Sequence, residues 1–203
     1  MKKLASQNNS FQKQKTPYDG PILSWFYTIW RKINNPWLHK KLTSLAVEKL
    51  ALQKGDFVLE IACGPGYSFT NLQNKVGKEG HITAIDYSSA MLNQAQKRKD
   101  KYDWNNVELI QKDARSIDYI ESFDGAISIL GLSVVPEWER VLDKMIDACK
   151  KHKRIVIADS TKGFSLMSAQ TRNIVEEMKE RLDNVEVVYF MNGLYFVASG
   201  IKK

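Results

Sequence analysis

Between residues 57 and 159 the chain alternates short apolar, β-branched runs with longer stretches of helical spacing. The runs are "FVLEIA", "HITAID", "VELIQ", "DGAISIL" and "RIVIAD", each of a length suited to a buried strand. The clearest helical stretch among them is "PEWERVLDKMIDACKK". In it Trp138, Val141, Leu142, Met145, Ile146 and Cys149 recur at helical spacing behind Pro136. Strands alternating with helices predict crossover units, and therefore a parallel sheet covered on both faces. A further helical pattern bears Ile174, Val175, Met178 and Leu182 and leads into two last runs, "VEVVYF" and "LYFVASG", joined by "MNG". Asn192-Gly193 favours the left-handed backbone of a hairpin turn, so the sheet is expected to finish with an antiparallel pair. The predicted fold is a doubly wound, mostly parallel seven-stranded α/β sheet ending in an antiparallel hairpin, with helices at the amino terminus.

Ahead of the first strand the pattern changes. Residues 1–16 are polar and basic and read as a flexible arm. "PILSWFYTIWRKI", dense in Trp25, Phe26, Tyr27 and Trp30, reads as a short helix. "NNPW" restarts the chain, with Asn35 suited to a cap and Pro36 to the first helical position. The next helix carries Leu42, Leu45, Ala46 and Leu50 on one stripe and stops near Gly55. One domain is expected over 1–203: the arm at 1–16, a helical lid at 17–54 and the Rossmann-like core at 55–203.

Composition narrows this picture only slightly. With 203 residues, 43% hydrophobic and 26% charged, the chain suits one globular domain with a sizeable core. "MKKLASQNNSFQKQK" is basic but has no apolar segment behind it, and no run reaches the roughly 20 apolar residues that span a bilayer. A cytoplasmic protein is therefore expected. The net charge of +7 suits an anionic partner, whether membrane surface, nucleic acid or phosphorylated substrate, without choosing among them. Cys63 and Cys149 form neither a disulfide framework nor a metal-ligand spacing, and no metal is expected.

The chemistry concentrates in "VLEIACGPGYSF", residues 58–69. An acid sits near the end of an apolar strand, and the chain then breaks into a glycine turn. In open parallel sheets ligands bind beyond the carboxyl ends of the strands. Gly64 and Gly66 let the backbone bend and approach a ligand closely, and a helix starting near Tyr67 points its free N–H groups into the turn. A dinucleotide site asks for G-x-G-x-x-G, and the third glycine position here is Phe69. The next strand ends on Asp86, about twenty residues past the turn, where a carboxylate suits ribose hydroxyls. The third strand runs into "IQKDA", with Asp113 and Ala114 at its tip.

"EIACGPG" resembles the first motif of class I S-adenosylmethionine-dependent methyltransferases, an acid followed by G-x-G-x-G, with Ala62 in place of the first glycine. The resemblance covers roughly residues 55–160. It implies S-adenosylmethionine as cofactor and S-adenosylhomocysteine as product. It also implies roles: Gly64 and Gly66 line the methionine part, and Glu60 organises the turn and the amino group. Asp86 holds the ribose, Tyr87 and Met91 pack on the adenine, and Asp113 and Ala114 read its edge. In "SILGLSVVPEWERVL", where the family receives substrate, Leu130 and Gly131 flank the sulfonium. One departure is "CKKHKRIVIAD", which has Lys-His-Lys-Arg where the family has a Pro-Gly-Gly turn.

"GLSVVPEWERVL", with Tyr18-Asp19 ahead of the core, looks like the branch of phospholipid N-methyltransferases and ubiquinone/menaquinone C-methyltransferases. That implies a small or lipid-like acceptor, an amine headgroup or a quinone precursor. Trp25, Phe26, Trp30 and Trp37, with Lys13, Lys15, Arg31, Lys32, Lys40 and Lys41, suit either a lid over the cofactor or an anionic membrane surface. Tyr18 is placed to reach the cofactor from such a lid. No residue declares itself as a general base: His39, His81 and His152 are scattered, and Asp159, closing the fifth strand, is better placed. Base methylation in nucleic acids is disfavoured because "LGLS" stands where those enzymes carry a polar-Pro-Pro-aromatic loop. A noncatalytic S-adenosylmethionine-binding protein stays open as an alternative.

Overall fold

The computed structural model describes residues 36–161 and 173–203. The arm, the aromatic helix, the Asn35 cap and Tyr18 lie outside the described residues.

The elements in chain order are α1 (Pro36–Lys49), β1 (Phe57–Ile61), α2 (Phe69–Val76), β2 (His81–Asp86), α3 (Ser89–Lys101) and β3 (Val107–Gln111). There follow β4 (Phe123–Ile129), α4 (Trp138–Ala148), β5 (Cys149–Ser160), α5 (Ile174–Arg181), β6 (Leu182–Phe190) and β7 (Tyr195–Lys202). Short 3-10 turns occupy Ala114–Ser116 and Leu132–Val134. The seven strands form one sheet in the order β3-β2-β1-β4-β5-β7-β6. β1 to β5 are parallel, and β7 runs antiparallel to both β5 and β6. This is the predicted mostly parallel sheet with its antiparallel end.

The two-residue period of the strands sorts the core into two layers. Leu59, Ile61, Ala126, Ile155 and Ile157 pack against α4 and α5 through Val141, Leu142, Met145, Val175 and Met178. Val58, Ile82, Ala84, Ile127, Val156 and Ala158 face the other way, against Leu42, Ala46, Phe69, Leu72, Leu92 and Ala95 of α1, α2 and α3. Full burial of each Val, Leu, Ile, Met or Phe side chain among these contributes about 1.5–3 kcal/mol. Glu60 shares the parity of Val58, so the alternation that buries the core also aims this acid toward α1 and α2.

Three local expectations shift. Cys149 continues the helical spacing of α4, yet α4 ends at Ala148 and Cys149 begins β5, paired with Phe123. The register then jumps to Gly125 opposite Arg154, so the basic run 150–153 is a bulge. Lys150 and Lys153 both reach Asp124 Oδ1, at 3.0 and 3.3 Å, and His152 takes φ 63°. Leu182 likewise opens β6, where it pairs with Lys202. At the hairpin Phe190 pairs with Tyr195, so Leu194 joins Met191, Asn192 and Gly193 in the loop, and the last three carry φ of 49°, 53° and 84°.

Candidate active site

β1 delivers the chain to the carboxyl end of the sheet, and the turn before α2 begins there. Cys63 N–H still donates to Ile85 O at 3.1 Å, extending the ladder by one bond, and Gly66 N–H closes the turn on Cys63 O at 3.1 Å. The two glycines differ in what surrounds them. Gly66 has φ 72°, and a Cβ there would lie 2.3 Å from the Phe69 ring. Gly64 has φ 54°, and a Cβ there would meet nothing within 4 Å, because that side of the backbone opens into a cleft. Arg98 of α3 secures the turn from outside. Its Nε donates to Pro65 O at 3.1 Å, and its guanidinium lies 4.2 Å from the Tyr67 ring centroid.

Ala62, standing in for a glycine, also adopts the left-handed backbone, with φ 54°. Its methyl sets the limit on the facing loop: a Cβ on Gly131 would sit 2.6 Å from Ala62 Cβ. Leu130, also left-handed at φ 54°, donates its N–H to Ala158 O at 2.7 Å. The loop after β4 is thereby drawn close over the turn.

Two acids bracket the turn with opposite character. Asp86, partly exposed, accepts Gly64 N–H at 2.7 Å and Ser88 N–H at 2.8 Å. These bonds orient its carboxylate at the tip of β2 beside the open side of Gly64. Glu60 is buried, 2% exposed, and both its oxygens lie 2.6 Å from Ser68 Oγ, which donates to them. Burial pushes its pKa up to about 8; the Ser68 hydroxyl opposes that rise and the Asp86 charge adds to it. Burial, with Asp86 and Glu60 adding to it, holds the Cys63 thiol well above its ordinary range, so it stays a neutral thiol.

Ser68 was not singled out in the sequence, and His39 figured there only as one of three scattered histidines. Ser68 is the N-cap of α2 but makes no side-chain cap bond, because its hydroxyl serves Glu60. His39, scattered in sequence from the other histidines, lines the cleft with Thr43, Glu60, Tyr67, Ser68 and Leu130. The cleft, open mouth included, measures about 360 Å³. His81 pairs instead with Glu108 at the amino end of β2, and His152 lies in the β5 bulge.

The remaining predicted residues fall into two groups. Met91, 5% exposed, and Tyr87, partly exposed, sit where β2 turns into α3, with Ser88 Oγ accepting Met91 N–H at 3.4 Å. Asp113 caps the 3-10 turn that buries Ala114. Its carboxylate is gripped by Arg115, with Nε at 3.0 and 3.1 Å and Nη2 at 2.7 Å, and also accepts Arg115 N–H. That guanidinium holds the Asp113 carboxyl below the usual carboxylate range, and any further donor has to share a lone pair with it. Asp159 is 2% exposed and spends both oxygens on Ser133 N–H, Ser133 Oγ–H and Ser160 N–H. It anchors the Leu132–Val134 turn to the end of β5.

An S-adenosylmethionine molecule presents a ribose diol, a sulfonium and an amino-acid end. The residues suit it: Asp86 offers a carboxylate oriented by Gly64 and Ser88 N–H, Glu60 a second acid that lines the cleft, and Gly64 backbone whose missing Cβ leaves the space open. Residues 52–193 match the family described as a methyltransferase domain, and the chain belongs to that family. Among its relatives, the demethylmenaquinone methyltransferase of Listeria welshimeri is 30% identical over 125 residues, 61% of this chain and 53% of that protein. The phosphatidylethanolamine N-methyltransferase of Cereibacter sphaeroides is 36% identical over 108 residues, 52% of this chain and 51% of that one. The chain thus spans about half the length of the curated relatives it matches. A SAM-dependent methyltransferase of Aquifex aeolicus superposes with a TM-score of 0.64 at 17% identity, covering 79% of this chain and 89% of the other. That likeness is one of fold.

Proposed function

We propose that this chain transfers the methyl group of S-adenosylmethionine to a small or lipid-like acceptor. The observation that carries the proposal is the open side of Gly64, with Asp86 bonded to its N–H and the buried Glu60 behind the same turn. The cofactor supplies an activated methyl on a cationic sulfur, so the protein's task is alignment and exclusion of water. Asp86 receives the ribose hydroxyls. Glu60 as carboxylate faces the ammonium. Leu130 and Gly131, drawn over the turn, border the sulfonium, and Tyr87 and Met91 flank the adenine. Ala114 and the Asp113–Arg115 fork border the adenine edge. Binding with Asp86→Ala tests this: calorimetry should show S-adenosylhomocysteine binding more than tenfold weaker, with the circular dichroism spectrum kept. Unchanged affinity overturns the assignment.

The lipid-like acceptor draws support from the names of the two relatives and from the surface formed by the β6–β7 loop and the start of α1. The β6–β7 loop lies at the carboxyl end of β5, where Ser160 pairs with Tyr195 and Thr161 N–H donates to Leu194 O at 2.9 Å. There Met191 and Leu194 are 48% and 43% exposed, and Trp37 at the start of α1 is 64% exposed. Lys41 Nζ sits 4.8 Å from the Trp37 ring and 5.6 Å from the Phe190 ring. No acid occurs from 36 to 47 or from 187 to 203. Apolar side chains among lysines, free of acids, suit the headgroup region of an anionic membrane, and among the described residues no helix is long and apolar enough to cross one. The contact proposed is a peripheral one, at the cytoplasmic membrane surface. Co-sedimentation with phosphatidylglycerol vesicles should be lost in high salt and weakened by Lys40→Glu with Lys41→Glu; no binding by the parent protein overturns the membrane contact.

A further inference from the structure

The amino-acid end of the donor is a zwitterion, and Glu60 answers only half of it. A carboxylate withdrawn from water without a donor or a counter-charge is costly. Among the described residues whose side chains line the cleft, only His39 can carry a positive charge, and none is a lysine or arginine.

The local geometry makes His39 a placed group. It lies one helical turn before Thr43, on the face of α1 turned to the cleft, with Thr43 Oγ1 3.3 Å from Nδ1. Thr43 is 3% exposed, and α1 itself is packed on β4, β5, β7 and α2. The imidazole meets the Tyr67 ring edge-on at 5.8 Å between centroids. Tyr67 is in turn held by the Arg98 guanidinium that bonds Pro65 O. The orientation of the imidazole is thus tied to the glycine turn that the donor occupies.

We propose that His39 and Thr43 form the subsite for the donor's α-carboxylate, opposite the ammonium on Glu60; this rests on the donor reading above. The imidazole N–H and the Thr43 hydroxyl donate to the two carboxylate oxygens, and α1 becomes part of the donor site. No residue of α1 belongs to the glycine-turn motif.

The test uses two nucleosides that differ in this end alone. S-Adenosylhomocysteine carries the amino acid, and 5′-methylthioadenosine lacks it. By calorimetry His39→Ala should weaken S-adenosylhomocysteine at least tenfold and change methylthioadenosine less than twofold. His39→Gln keeps a donor of similar reach and should lie between the parent and the alanine variant; it also serves if the alanine variant does not fold. Thr43→Val should show the same selectivity at smaller amplitude. Equal weakening of both nucleosides, or no weakening of either, overturns the subsite while leaving the donor reading intact. If the parent protein binds neither nucleoside, the donor reading falls and the subsite with it.

Discussion

Replacing Glu60 by glutamine should make the protein more stable and a poorer binder, and the stability gain should grow with pH. In the folded chain burial pushes the Glu60 pKa up to about 8, against an ordinary value of 4.5. Between these values the unfolded chain carries a charge that the folded chain does not. The stability associated with the neutral acid is complete below pH 4.5 and drains away as pH rises through about 8. Each pH unit within that window is worth about 1.4 kcal/mol, so the loss reaches about 3 kcal/mol at pH 7. A glutamine is neutral at every pH and can still accept from Ser68 Oγ through its carbonyl. Urea unfolding at pH 5, 6, 7, 8 and 9, analysed by linear extrapolation, should show Glu60→Gln gaining on the parent by up to about 1.4 kcal/mol per unit below pH 8 and levelling beyond. S-Adenosylhomocysteine binding should fall in the same variant, because the amide cannot answer an ammonium. A stability difference that stays constant from pH 5 to pH 9 would refute the buried neutral acid and the titration built on it.

Since the ligand selects the ionised form of Glu60, binding at pH 7 should release up to one proton. Calorimetry in two buffers of different ionisation enthalpy reads this directly, and the release should vanish in Glu60→Gln. Gly131→Ala drives a Cβ to 2.6 Å from Ala62 Cβ and should cost about 1–3 kcal/mol. Ala62→Gly in the same chain should recover much of that cost, and strict additivity in the double-mutant cycle would refute the contact. Asp159→Ala strips the partner from Ser133 N–H, Ser133 Oγ–H and Ser160 N–H. About 1–3 kcal/mol of stability should go with it, together with amide protection in the Leu132–Val134 turn, and unchanged hydrogen exchange there would count against the anchor.

The apolar run around Glu60 was enough, read as sequence, to place a strand with an acid near its end. The glycine turn, the acid ending β2 and the hairpin at Asn192-Gly193 were legible for the same reason: each depends on neighbours a few residues apart. What local periodicity could not decide was which long-range partner wins. Cys149 fits the stripe of α4 by spacing, but the place opposite Phe123 draws it into β5. Asp113 stands where an adenine reader is expected, and Arg115, two residues on, occupies its oxygens. Asp159 ends its strand like a catalytic acid and turns out to bond the loop beside it. His39 belongs to no motif, and Ser68, though inside the glycine-turn stretch, gives no sign there of its bond to Glu60. They reach Glu60's cleft because α1 folds across β4, β5 and β7 and because α2 begins under the strand that bears the acid. The sequence by itself determined the layers and the turn, which follow from backbone period and glycine conformation. Only the tertiary structure decided which side chains from distant elements meet in the cleft, because that contact is made by packing between helices and sheet and leaves no repeat along the chain.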